Sequence, residues 1–291
     1  METNRDRLDS KSRESLRKHI AEVKERHKLP SPPRVVTRVI SMLKDPNFDA
    51  RELSRFISDD PALATRTLSL SRSPQYAQRR QPRTVHDAMN VLGFQAVRNI
   101  VIATAAQSFL TRKSKFSEKI WDHSLAAALS ARLLAKRVCF SDPEMAFLAG
   151  LLHDMGHILL FNGDSRGYEQ ILDEVQRSDE PLHLKEVEIY RFDHASLGFA
   201  LLDHWNIEEH VSEAVMNHHN VADNCSGSLA SIIQMADYIC GKAELGFYGE
   251  ACHPAKETLD AFDCLDEASL HGVVEETRGA FEQESLLFRE M

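Results

Sequence analysis

Leu151-Leu152-His153-Asp154-Met155-Gly156-His157-Ile158-Leu159-Leu160 sets two histidines, an aspartate and a glycine into an otherwise apolar run. Burying an imidazole beside a carboxylate is costly unless each finds a hydrogen-bond partner, a metal, or both. His157 follows His153 by four residues, so both can share one helical face. The resulting HDxxH lacks the glutamate that serves as base in zinc proteases and carries Gly156 inside the turn, which argues against a protease.

Working outward, the flanks read as helices. Upstream, Asp142-Pro143 opens the helix leading into His153-Asp154, and residues 116–138 form a long helix with Trp121, Leu125, Leu129 and Leu133 on its buried stripe. Val35, Val39, Ile40 and Leu43 share one apolar face, which Asp45-Pro46 stops. Asp49, Asp60 (with Pro61) and Thr84 are N-cap candidates for three short helices, and Gly93 ends the third before an apolar helix from Phe94 to Leu110. Downstream, residues 165–178 and 181–192 read as helices. Asp193 caps His194–His204, a helix through Val211 and Val215 ends at His218-His219, and Leu229–Gly241 carries Asp237. The pattern is all-α, with no strand signal and no internal repeat.

Gly (12) and Pro (10) are scarce, as helices require, and a hydrophobic fraction of 43% supports a sizeable core over 291 residues. A net charge of −9 argues against wholesale nucleic-acid binding. Five scattered cysteines without a CxxC pair, a polar N-terminus and no run of about 18 apolar residues point to a reducing cytoplasm, without a membrane span. Residues 1–28 read as a thin amphipathic helix or a helical linker. Arg72, Arg79, Arg80 and Arg83 surround a loop that is either solvated or a docking patch for an acidic partner or phosphate. Residues 242–291 hold four basic and twelve acidic residues, a net charge of −8, and read as a helical pair with an acidic outer face.

The polar residues set into apolar helices are His123, His153, Asp154, His194, His218, His219 and Asp237. Spread over several helices, they suit a metal site in a bundle core, where ligands converge from facing elements. Imidazole plus carboxylate fits one or two divalent transition-metal ions: iron, manganese, nickel or zinc. No thiol is placed to join, so a structural zinc site is not indicated. Two ions sharing Asp154 would activate water against a phosphate ester. His86, His183, His204, His210 and His271 read as surface or packing residues.

These residues resemble the HDOD family, the HD-related output domain of bacterial signalling proteins. Residues 29–110 carry Leu29-Pro30, Asp60-Pro61-Ala62-Leu63, Leu68-Ser69-Leu70, Ser73, Tyr76, Ala88 and Leu92-Gly93, with Arg72 where the family usually has asparagine. Residues 115–240 carry Trp121, His123-Ser124, Ala149 to Gly156, Asp193-His194-Ala195, Gly198, His218-His219 and Ala236-Asp237. The resemblance implies a helical bundle of HD type with an N-terminal helical subdomain. It divides the chain into residues 1–28, an HDOD domain over 29–240 (parts 29–112 and 113–240), and an acidic helical region over 241–291.

The metal positions of HD-superfamily phosphohydrolases map to His123, His153, Asp154 and Asp237, and those added by HD-GYP phosphodiesterases map to His194, His218 and His219. Three departures stand against hydrolysis of cyclic di-GMP. His157 replaces the lysine after HDxG, Lys119 replaces a glutamate ligand, and Asn220-Val221-Ala222-Asp223 replaces the GYP signature. The expectation is a signalling output module, non-catalytic and with a metal pocket, working through a partner protein or a fused receiver-type domain. The alternative is a metal-dependent phosphohydrolase or phosphodiesterase acting on a nucleotide or cyclic dinucleotide, with His157 orienting phosphate or water. A redox- or gas-sensing di-metal site is a third reading.

Overall fold

The computed structural model describes residues 29–73, 76, 81–110, 114–178, 180–220, 227–247, 254, 258–259, 262 and 266–289. Among them every regular element is a helix and none is a strand, so the chain is all-α. The described residues form two compact units. One comprises those within 29–31 and 114–278, the other those within 32–113 and from 279 onward. The helix expected over residues 1–28 lies outside the described residues.

In the smaller unit, α1 (Arg34–Lys44) packs on α5 (Phe94–Ser108), and α2 (Ala50–Ser58) packs on α3 (Pro61–Ser71) and α4 (Val85–Leu92). Their starts are set by side chains. Asp49 accepts from the Arg51 amide, and Asp60 from those of Ala62 and Leu63, with Pro61 at the first helical position. Thr84 and Asp87 form a reciprocal capping box on α4. Gly93, at φ 81°, takes the left-handed turn into α5. Val36, Leu53, Ile57, Ala88, Val97 and Val101 fill the core. The buried Arg66 guanidinium donates to Thr104 Oγ1 and Gln107 Oε1, each at 2.7 Å. Arg72 donates to the Pro82 carbonyl at 2.8 Å and so ties its loop; Arg79 and Arg80 lie outside the described residues.

The larger unit is built on α6 (Lys115–Arg137), against which α7 (Pro143–Leu152) and α13 (Leu229–Lys242) pack. The α6–α7 seam is lined with small residues. A Cβ on Gly150 would lie 2.7 Å from the Ala127 carbonyl oxygen, so the helices meet backbone to backbone. The opening apolar run is two helices, because the chain breaks at His153-Asp154 and resumes as α8 (Met155–Gly163). Next come α9 (Ser165–Ser178), α10 (Leu182–Tyr190), α11 (His194–His204) and α12 (Glu209–Asn217). α11 lies against α8 and α12. The last helix, α14 (Glu267–Arg289), is tied to α6 by Arg137–Glu276 at 2.6 Å. Most of the other helix expected in the acidic region lies outside the described residues. The described segment long and apolar enough to cross a membrane, Pro143–Gly163, is 83% buried within the protein.

Candidate metal centre

His153 and Asp154 stand at the junction of α7 and α8. Asp154 occupies the N-cap position of α8, but its side chain caps no amide. Its carboxylate faces imidazoles instead. Oδ2 lies 3.2 Å from His123 Nε2, and Oδ1 lies 3.2 Å from His153 Nε2 and 3.6 Å from both His157 Nε2 and His194 Nε2. His218 Nε2 is 3.9 Å from the same Oδ1, and Asp237 Oδ1 is 3.3 Å from His123 Nε2. His219 Nε2 is 2.7 Å from His194 Nε2. The structure thus brings together all seven residues singled out as ligand candidates, and His157 with them. His183 stacks on His219 at 4.4 Å between ring centroids.

The other face of each ring decides its chemistry. His123 Nδ1 lies 3.2 Å from the Leu245 carbonyl, His153 Nδ1 2.8 Å from that of Gly150, and His218 Nδ1 2.6 Å from that of Val215. His194 Nδ1 lies 2.7 Å from Glu186 Oε2, and His157 Nδ1 lies 3.0 Å from Glu186 Oε1. Carbonyls and carboxylates only accept, so each Nδ1 carries the proton and donates it. In the neutral rings every Nε2 is then a bare lone pair. These lone pairs face one another, with His123 and His153 at 3.3 Å and His194 and His218 at 3.4 Å. Such an arrangement is repulsive unless positive charge sits among them.

Electrostatics points the same way. Burial disfavours the Asp154 anion, yet His153, His157 and His123 around it hold the carboxyl well below the usual carboxylate range. Burial also opposes a charged His123, but Asp154 and Asp237 push it up to about 9. Burial lowers His157, His218 and His219, and the neighbouring imidazoles lower them further. Three donor groups lie within metal-binding reach: His123/His153/Asp154, His194/His218/His219 and Asp154/His157/His194. No cysteine joins them among the described residues.

Sequence reasoning missed Glu186, Tyr168 and the Leu245 carbonyl. Glu186 is fully buried, receives the His194 amide at 2.8 Å as well as the two rings, and also accepts from the Tyr168 hydroxyl. Burial alone would raise its pKa, but His194 and His157 lower it. The one available signal was its place one turn after Leu182, on the buried side of α10.

The HDOD domain family matches residues 29–221. An HDOD domain protein of unknown function from Geobacter sulfurreducens superposes with a TM-score of 0.70 at 26% identity, covering 94% of this chain and 92% of that one. A proposed phosphohydrolase from Shewanella amazonensis SB2B gives 0.71 at 24%, covering 94% and 98%. A proposed signal transduction protein from Marinobacter aquaeolei VT8 gives 0.73 at 21%, covering 98% and 66%. An uncharacterized protein of Treponema pallidum (strain Nichols) is 21% identical over 196 residues, which span 66% of this chain but 38% of that relative.

Proposed function

The chain belongs to the HDOD domain family, and from that premise we propose that it is a non-catalytic output module of bacterial signalling, built round a buried His/Asp metal pocket. The observation that carries this reading is the set of Nε2 lone pairs, fixed by their Nδ1 partners and aimed at one carboxylate. The donor set fits a divalent transition metal. His123, His153, Asp154 and Asp237 would hold one ion, and Asp154 with His194, His218 and His219 a second. Bound there, a metal supplies positive charge that joins α6, α7, α11 and α13; in a hydrolase it would also acidify water.

Burial favours the module over the enzyme. His123, His153, Asp154, His194 and His218 are each 2% exposed or less, so a phosphate ester has to reach the interior to meet them. Lys119 and His157 stand where related phosphodiesterases carry glutamate and lysine. The partner is a signalling protein or a fused receiver-type domain. The compartment is the cytoplasm, where exposed Cys139 and buried Cys240 stay reduced. One observation favours a hydrolytic reading: Asp154 belongs to two of the donor groups, as a carboxylate bridging two ions would.

Turnover of nucleotide phosphomonoesters and cyclic dinucleotides by the metal-loaded chain separates the two. The module reading predicts none above the metal-only blank, with Asp154→Ala lowering the melting temperature. Turnover that Asp154→Ala abolishes while leaving the fold intact would establish the enzyme instead.

A further inference from the structure

We propose that His157 is itself a metal ligand, held in that role by Glu186 and Tyr168. The proposal rests on the metal-pocket reading above and adds a donor to it. His157 is completely buried. Its Nδ1 is tied to Glu186 Oε1 and Tyr168 Oη. Its Nε2 is buried and has no hydrogen-bond partner, and it lies 3.6 Å from Asp154 Oδ1. A buried, unpartnered nitrogen aimed into a pocket of donors is costly unless something there accepts its lone pair.

Glu186 makes the arrangement bidentate. One carboxylate oxygen takes the His157 Nδ1 proton and the other takes the His194 Nδ1 proton. The two rings stack with centroids 3.8 Å apart and planes 27° apart, so both Nε2 atoms lie at an equal 3.6 Å from Asp154 Oδ1. Tyr168, fully buried, donates to the same Glu186 oxygen that serves His157, which fixes the carboxylate's rotation. Asp154, His157 and His194 form a donor group that shares His194 with His218 and His219. His157 therefore adds a nitrogen to the ion held there. A lysine at this position would be a cation that grips phosphate; a neutral imidazole gives its lone pair to a metal instead.

The test is Co2+ titration of the full chain, with affinity read by chelator competition and coordination read from the visible absorption spectrum. For His157→Ala, the expected result is a changed Co2+ spectrum and affinity at least tenfold weaker. Glu186→Gln keeps the shape but offers an amide N–H2 to one of the two Nδ1–H groups. That ring must then protonate Nε2, and Co2+ affinity should fall about 10–100-fold in a variant whose cooperative urea transition shows that it folds. Should His157→Ala fail to fold, His157→Phe, which fills the place of the ring without a donor nitrogen, decides in its stead. Wild-type affinity and spectrum in the folded variants overturn the ligand role of His157 while leaving the pocket standing. A wild-type chain that takes up no Co2+ overturns the pocket and this inference together.

Discussion

Gly156 shows how one missing side chain builds the centre. A Cβ there would lie 1.9 Å from the His194 carbonyl oxygen, so only glycine lets α8 and the start of α11 meet. That approach puts His194 beside Asp154 and under Glu186. Gly156→Ala should cost about 1–3 kcal/mol by urea denaturation, as overpacking does, and should reduce metal retained through gel filtration. The histidines and Asp154 were legible as polar residues in apolar runs. Glu186 was not, because its helix exposes Leu184, Val187 and Ile189 while burying this carboxylate, and only tertiary packing reveals which side turns inward. The imidazoles also set a pH dependence for chelator-treated protein. His157, His218 and His219 have folded pKa values below the unfolded value of about 6.5, so the unfolded chain binds more protons as pH falls through that point. His123 works oppositely: its stabilising contribution is complete below about 6.5 and is lost as pH rises through about 9. Urea midpoints of the metal-free chain should therefore be highest near pH 6.5, decline as pH falls below it, and decline as pH rises from there to about 9.

At the scale of elements, helix starts were readable because their caps are local. Asp49, Asp60, Thr84, Asp142 and Asp193 each accept an amide at the position that the sequence suggests. Thr84→Ala should cost about 1 kcal/mol by urea denaturation through loss of the capping box. Metal content should stay unchanged, since every donor lies in the other unit. Asp87, the reciprocal partner, has its pKa lowered by the Thr84 hydroxyl and the Arg83 and Thr84 amides. Its contribution is present above the ordinary carboxylate range and disappears as pH drops through the folded value. The break between α7 and α8 was hidden. Apolar residues flank it on both sides, no proline marks it, and Asp154 gives its carboxylate to the site instead of to a capping bond.

For the whole molecule, the account rests on convergence. Seven candidates from His123 to Asp237, with His157, meet within one unit around a single carboxylate. Convergence follows from how α6, α7, α8, α11, α12 and α13 pack, which sequence periodicity does not specify; the family resemblance supplied it. The central claim is that this cluster is completed by metal. Elemental analysis of the chain purified without added ions tests it most directly, with Asp154→Ala, checked for folding, as the control. The account predicts at least one equivalent of a divalent transition metal in the wild type and its loss in the variant. A folded wild-type chain free of metal, or a variant with equal metal content, would contradict it.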